Sequence, residues 1–173
     1  MKKMFSLLVS LCVLAYCILI PAGISAESVN LALASAGTKV TASGSIKGKD
    51  LSNINDGDNI EETLDAWWSN KPEQGDIWLE FDLGKIAIID QIAFYSFNMK
   101  NVYTTSVKTS IDGTNWTETA LKWTRTEHYK FPDTTYVNYK HEHTFEEPVL
   151  ARYLKFEPTA QAKLHEVEIF GEA

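Results

Sequence analysis

Apolar and polar residues alternate with a period of two along most of this chain, and nowhere is a period of 3.6 sustained. Asn30 to Ala42 reads as an N-terminal strand segment interrupted at Gly37. Ile77 to Leu83 alternates, putting Ile77, Leu79, Phe81 and Leu83 on one face. Leu83-Gly84-Lys85 is a turn, and Ile86 to Phe97 follows as a β-branched and aromatic run. Thr104 to Ile111 predicts a further strand, closed by a two-residue Asp112-Gly113 turn that leads into Trp116. The polar stretch Thr124 to Thr135, with Pro132 in it, predicts a long loop. Tyr136 to Phe145 alternates again and ends at Glu146-Glu147-Pro148. Arg152 to Phe156 points Leu154 and Phe156 inward, and Leu164 to Phe170 closes the series with Val167 and Ile169 on one face. Short strands separated by turn signals every 8–12 residues predict an all-β, antiparallel sandwich.

The first 26 residues break this pattern. Lys2 and Lys3 precede an apolar run from Phe5 to Ile20, and Ile24-Ser25-Ala26 supplies a small-residue cleavage site, the layout of a secretory signal. The rival reading is an uncleaved anchor, since about 18 apolar residues begin to span a bilayer. Pro21 and Gly23 interrupt the run and favour cleavage. Tyr16 is too bulky for the position before a lipid-modified Cys17. The expected organisation is therefore a signal at 1–26 and one domain at 27–173, exported, with no later stretch able to cross a membrane and no attached enzyme.

Removing the signal leaves 147 residues and moves the formal charge from −7 to −9, because Lys2 and Lys3 leave. An acidic domain lacks the basic surface that nucleic acid or anionic lipid requires. Both cysteines, Cys12 and Cys17, lie in the signal, so the domain is expected to have neither disulfide nor thiol chemistry. No phosphate-binding glycine loop, nucleophile elbow or His-Glu-x-x-His is present. A distant carboxylate pair for glycoside hydrolysis stays open, but catalysis is the minor hypothesis.

Three constellations remain. Ser52 to Asn70 crowds Asp56, Asp58, Glu61, Glu62 and Asp65 about an Asp56-Gly57 turn and ends on Trp67-Trp68. Such oxygen ligands suit Ca²⁺; for the run taken alone, a solvated acidic loop is the favoured reading. His141-x-His143 places two imidazoles on one strand face, as a zinc site needs. The interleaved Lys140 and Glu142 favour a solvent face instead. Trp67, Trp78 and Trp116 read as core packing. Trp123, Tyr129, Phe131, Tyr136 and Tyr139 cluster about the polar loop, as sugar-stacking platforms or as cover for a sandwich edge.

In order, the chain carries Asn30-Leu31-Ala32, Asn55-Asp56-Gly57-Asp58, Trp67-Trp68-Ser69 and Trp78 to Gly84. Ser110 to Trp116, Ala151 to Phe156 and His165 to Gly171 follow. This succession resembles the coagulation factor V/VIII C-type, or discoidin, domain. It is most similar to bacterial galactose-binding-like carbohydrate-binding modules of family 32, over residues 29–172.

The resemblance implies a jelly-roll sandwich of about eight strands with binding loops at one end. It also implies a structural calcium held by the carbonyls of Asn53, Asp58 and His165 and the carboxylates of Asp56 and Glu166. Asp65 stands where the family commonly has Thr or Ser, and Thr63 is its alternate. The ion ties an early loop to the final strand, a constraint that a disulfide often supplies in relatives. Galactose-binding members offer an Arg and an Asn in the loop that here reads Phe97 to Tyr103, which has Asn98, Lys100 and Asn101 but no Arg. The candidate ligand face joins those three to Trp123, Arg125, His128 and Tyr129. The expected function is a secreted, non-catalytic carbohydrate-binding module whose partner is a glycan or glycoconjugate. The alternative is a discoidin-type adhesion domain binding a surface or secreted protein.

Overall fold

The structure, a computed structural model, describes residues 27–59, 66–69 and 76–173. The signal segment, Glu61, Glu62, Thr63 and Asp65 lie outside the described residues. Among the described residues nine strands form: β1 (Val29–Asn30), β2 (Lys39–Ala42), β3 (Trp67–Trp68), β4 (Leu79–Phe97), β5 (Ser106–Ser110), β6 (Thr117–Ala120), β7 (Thr124–Lys130), β8 (Val137–Phe156) and β9 (Lys163–Glu172). Every pairing is antiparallel, in the order β1-β9-β4-β8-β5-β6, with β2 on β4, β3 on β9 and β7 on β8. Two 3-10 turns, Ala34–Ala36 and Leu51–Ile54, are the only helical elements among the described residues. The first ends on Gly37 at φ 93°, the left-handed region that glycine enters without cost, and this splits the N-terminal segment where the sequence breaks it.

Two long strands make the sandwich, because each serves both layers. The first part of β4 pairs with β2 and with the end of β8 (Leu79↔Phe156). Its last part pairs with β9 and with the start of β8 (Phe97↔Asn138). Between Asp82 and Ala87 the register shifts, with Gly84 at φ 75° donating to Asp82 Oδ1 at 2.9 Å. The predicted turn at Leu83-Gly84-Lys85 is thus the corner at which one strand changes layer. Phe94 from one layer meets Phe156 from the other edge-on at 4.9 Å between centroids, and Phe156 meets Phe81 at 6.0 Å. Trp67, Ile92, Leu154, Val167 and Ile169 complete a core from which water is excluded.

Three expectations are corrected. Thr124 to Lys130 is a strand on the edge of β8, whose polar face is solvent rather than loop. The β5–β6 connection is longer than two residues, spanning 111–116. Asp112 Oδ1 accepts the amides of Thr114 and Asn115, each at 2.8 Å, and holds it shut. Trp67 alone of the three presumed core tryptophans is fully buried. Trp78 lies half-buried under the Lys155 ammonium and Trp116 against Tyr153.

Strand ends gather segments 98–105, 131–136 and 157–162 at one end of the sandwich. There Thr159 donates to the Tyr103 carbonyl at 2.9 Å, and Asn98 to that of Val137 at 2.9 Å.

Candidate functional site

The acidic loop is anchored before it becomes acidic. Ile54 is fully buried, and Asn55 donates its side-chain amide to the Ala32 carbonyl at 2.9 Å while its own carbonyl accepts from Ala34. The chain then turns through Gly57, at φ 93°, with Asp56 Oδ1 accepting the Asp58 amide at 2.9 Å. That turn presents the Gly57 amide to Glu166 Oε2 at 3.3 Å. Glu166 is fully buried on β9, and its other oxygen, Oε1, has no hydrogen-bond partner. Burial pushes its carboxyl up to about 8, and the negative charges of Asp56 and Glu168 add to the effect. A buried carboxylate with an orphaned oxygen and no cation beside it is costly. The donor set fits a hard cation: two carboxylates, Asp56 and Glu166, among backbone carbonyls, with Asn53, Asp58 and His165 on the same loop and strand. Among the described residues no three His, Cys, Asp or Glu side chains cluster.

A second polar group ties this loop to the outer face of the sheet. The Tyr95 hydroxyl donates to Glu168 Oε2 at 2.8 Å, and Asn59 reaches Glu168 Oε1 at 3.5 Å. His128 Nε2 lies 3.3 Å from Asn59 Oδ1, its ring edge-on to Tyr95 at 4.7 Å. Burial and the Glu168 charge drive the Tyr95 phenol above its ordinary range, and burial lowers His128. His128 therefore belongs to the support of the acidic loop. Tyr129 packs on Phe131, beside Phe97 and Ala66.

Residues 98–104 are pinned through their carbonyls, which leaves side chains free to project. The Met99 carbonyl accepts from Ser96 Oγ at 2.9 Å and faces His141 Nε2 at 3.2 Å. Arg125 reaches from β7 to the Lys100 carbonyl at 2.5 Å, and the Trp123 indole donates to that of Thr104 at 2.6 Å. Asn98, at φ 50°, Lys100, Asn101, Tyr103 and Arg125 are all exposed. The structure thus unites Asn98, Lys100, Asn101 and Arg125 with the edge of Trp123, whereas His128 contacts Asn59 and Tyr95 and Tyr129 contacts Phe131. Trp123 is half-buried, its ring 4.9 Å from that of Phe94, so most of it closes the core.

Phe131 and Tyr139 are buried as well, leaving Tyr136 as the exposed aromatic of that group. His141 and His143 face inward between the layers, contrary to the solvent face predicted for them. Burial lowers His141 to about 4. His143 Nδ1 accepts the Lys122 amide at 3.1 Å. Sequence reading missed Tyr103, although an aromatic closing a polar loop was the available signal.

A model of the F5/8 type C domain matches residues 39–169. No curated protein matches the sequence. Among solved structures, CpGH89CBM32-6, produced by Clostridium perfringens, superposes with TM-score 0.58 at 21% identity over 83% of this chain and 99% of that one. The family 32 module of NanJ from the same organism, in complex with galactose, gives 0.55 at 17% identity over 83% and 98%. A family 89 glycoside hydrolase of C. perfringens gives 0.57 at 24%, and there this chain's match spans 15% of the longer protein's length. At these identities the likeness establishes the fold, a galactose-binding-like β-sandwich. The family model covers most of the chain, and the protein belongs to the F5/8 type C domain family.

Proposed function

We propose that this protein is an exported, non-catalytic carbohydrate-binding module, with a glycan or glycoconjugate as its partner. The observation that carries the reading is the 98–104 loop. Four of its side chains project into solvent from a backbone fixed by Ser96, Arg125, Trp123 and Thr159. A loop ordered before binding avoids the entropic cost that weak ligands cannot offset. The Arg missing from the loop's own sequence arrives from β7 as Arg125, so a guanidinium and two Asn amides stand together where sugar hydroxyls need donors and acceptors.

Calcium serves as scaffold in this reading. Asp56 and Glu166, with the carbonyls of Asn53, Asp58 and His165, are the residues that would hold it. Its charge would compensate the buried Glu166 carboxylate and fasten the acidic loop to β9. Asp65 lies outside the described residues and remains the sixth expected ligand. Export rests on the charged and apolar layout of residues 1–26; no helix among the described residues is long and apolar enough to cross a membrane.

A glycan array in calcium-containing buffer tests the function. Binding that is lost in Lys100→Ala and Asn101→Ala, with unchanged melting curves, supports it. An array without hits, together with a specific protein captured from the secretome, refutes it in favour of the adhesion reading.

A further inference from the structure

The outer face of β4 is covered at one end and bare at the other. Near Tyr95, which is buried, the acidic loop closes over it through Asn59 and Glu168. Nearer the corner, Ile86 and Ile88 are 49% and 47% exposed, while Ala87 and Ile89 are buried. That alternation puts both isoleucines on the outer side, and the register shift between Ile89 and Gln91 accounts for the change of parity on the way to Tyr95. Leu150, directly opposite Ile88 on β8, is 57% exposed. Cross-strand partners stand about 5 Å apart, so the three aliphatic side chains form one patch on two adjacent strands. Single exposed aliphatics need no explanation, but a contiguous group is a candidate contact surface.

The charges around the patch select its partner. Lys85 lies three residues before Ile88 and Glu147 three before Leu150; because β4 and β8 are antiparallel, the two flank the patch at opposite ends. Both are exposed, and among the described residues neither enters an ion pair. Their charged neighbours are engaged: Glu146 with Lys122 at 3.6 Å and Arg152 with Asp82 at 2.7 Å. A patch positive at one end and negative at the other is complementary to itself turned end for end, as an isologous contact requires.

We infer that this patch binds a second copy of the chain about a two-fold axis running across β4 and β8. Ile88 and Leu150 then meet their own copies, and Lys85 of one protomer lies over Glu147 of its partner. An axis along the strands would instead set like charges together. Glu172, beside Ile88 on β9, ends the apolar area on that side and centres the contact on β4 and β8. Asp90, Glu146 and Glu147 around the patch repel an anionic lipid surface. Phe97, where the 98–104 loop begins, is nine residues further along β4 than Ile88, about 30 Å at strand rise. Both loops stay open in the pair, and on the carbohydrate-binding reading the dimer is bivalent. The association itself does not depend on that reading.

Three side chains per copy make a small interface of the weak, transient class, so half-association is expected on the order of 100 µM. Sedimentation equilibrium of residues 27–173 from about 10 µM to about 1 mM tests it. The expected result is a monomer–dimer equilibrium. Ile88→Glu and Leu150→Glu should each leave a monomer throughout, with melting temperatures unchanged because both side chains already face water. Lys85→Glu should weaken association about tenfold, and Lys85→Glu combined with Glu147→Lys should restore it. A wild type that stays monomeric, a dimer untouched by either glutamate at the patch, or a charge swap without recovery would each overturn the inference. So would flotation of a monomer with phosphatidylglycerol vesicles that Ile88→Glu abolishes, which would give the patch to a lipid surface.

Discussion

Gly57 donates its amide to Glu166 Oε2 at 3.3 Å, joining the acidic turn to the last strand across 109 residues of chain. The other Glu166 oxygen is buried and unbonded. A cation that binds the folded state alone adds about 2.7 kcal/mol when present at 100 times its dissociation constant. Millimolar calcium should therefore raise the melting temperature relative to EDTA, and Glu166→Gln should erase the difference. An identical calcium response in wild type and Glu166→Gln would remove Glu166 from the site.

The same burial gives stability a pH dependence of known sign. The folded state holds a proton on Glu166 up to about pH 8, against an ordinary value of 4.5. Between those values the native state binds more protons than the unfolded one, so stability contributed by Glu166 is lost as pH rises. His141 acts oppositely: its folded value of about 4 lies below the ordinary 6.5, so its contribution grows as pH rises through that window. In EDTA, thermal unfolding should show stability declining from pH 6.5 to 8, where the Glu166 contribution outweighs the last of the His141 one. Glu166→Gln should flatten that decline. A melting temperature in EDTA that climbs through this window in the wild type, and does so equally in the variant, would contradict the assignment.

Strand periodicity and turn residues make most of the sandwich legible. Phe81, Leu154, Val167 and Ile169 lie on the faces their alternation assigns, because one side of each layer is water and the other is not. The failures have a common cause. Thr124 to Lys130 is polar because an edge strand can be wet on both faces, so its composition imitates a loop. His141 and His143 face inward although Lys140 and Glu142 look like solvent neighbours; in a strand those neighbours face the other way. Family resemblance set Glu166 beside the Asp56 turn, since no local pattern encodes a pairing of distant positions; the Gly57 amide that meets Glu166 was not anticipated.

Trp123 distinguishes packing from ligand contact. Its ring sits 4.9 Å from Phe94 and its indole N–H is bonded to the Thr104 carbonyl at 2.6 Å. Trp123→Phe should cost about 1 kcal/mol for the lost hydrogen bond. Trp123→Ala should cost about 2–4 kcal/mol, somewhat below a fully buried truncation because the ring is half-exposed. Urea denaturation measures both. An alanine variant as stable as wild type would show that the ring serves the ligand alone.

Two glycines give the sharpest contrast in stability. A Cβ built on Gly171 would lie 2.1 Å from the Ile88 carbonyl oxygen and 3.1 Å from the Ile89 Cα, both backbone atoms of the neighbouring strand β4. Neither can rotate away, so Gly171→Ala must push β9 off β4 in the middle of the β1-β9-β4 array. Gly37 is also sensitive, but for backbone reasons only: at φ 93° its added Cβ would meet nothing within 4 Å. Gly37→Ala should cost about 1–2 kcal/mol from the left-handed backbone. Gly171→Ala should exceed about 3 kcal/mol, because a clash between backbones adds to lost pairing. Parallel denaturation of the two variants decides the point: with equal costs, β9 would have to yield locally at Gly171, and the close β4–β9 approach would not be a rigid feature of the fold.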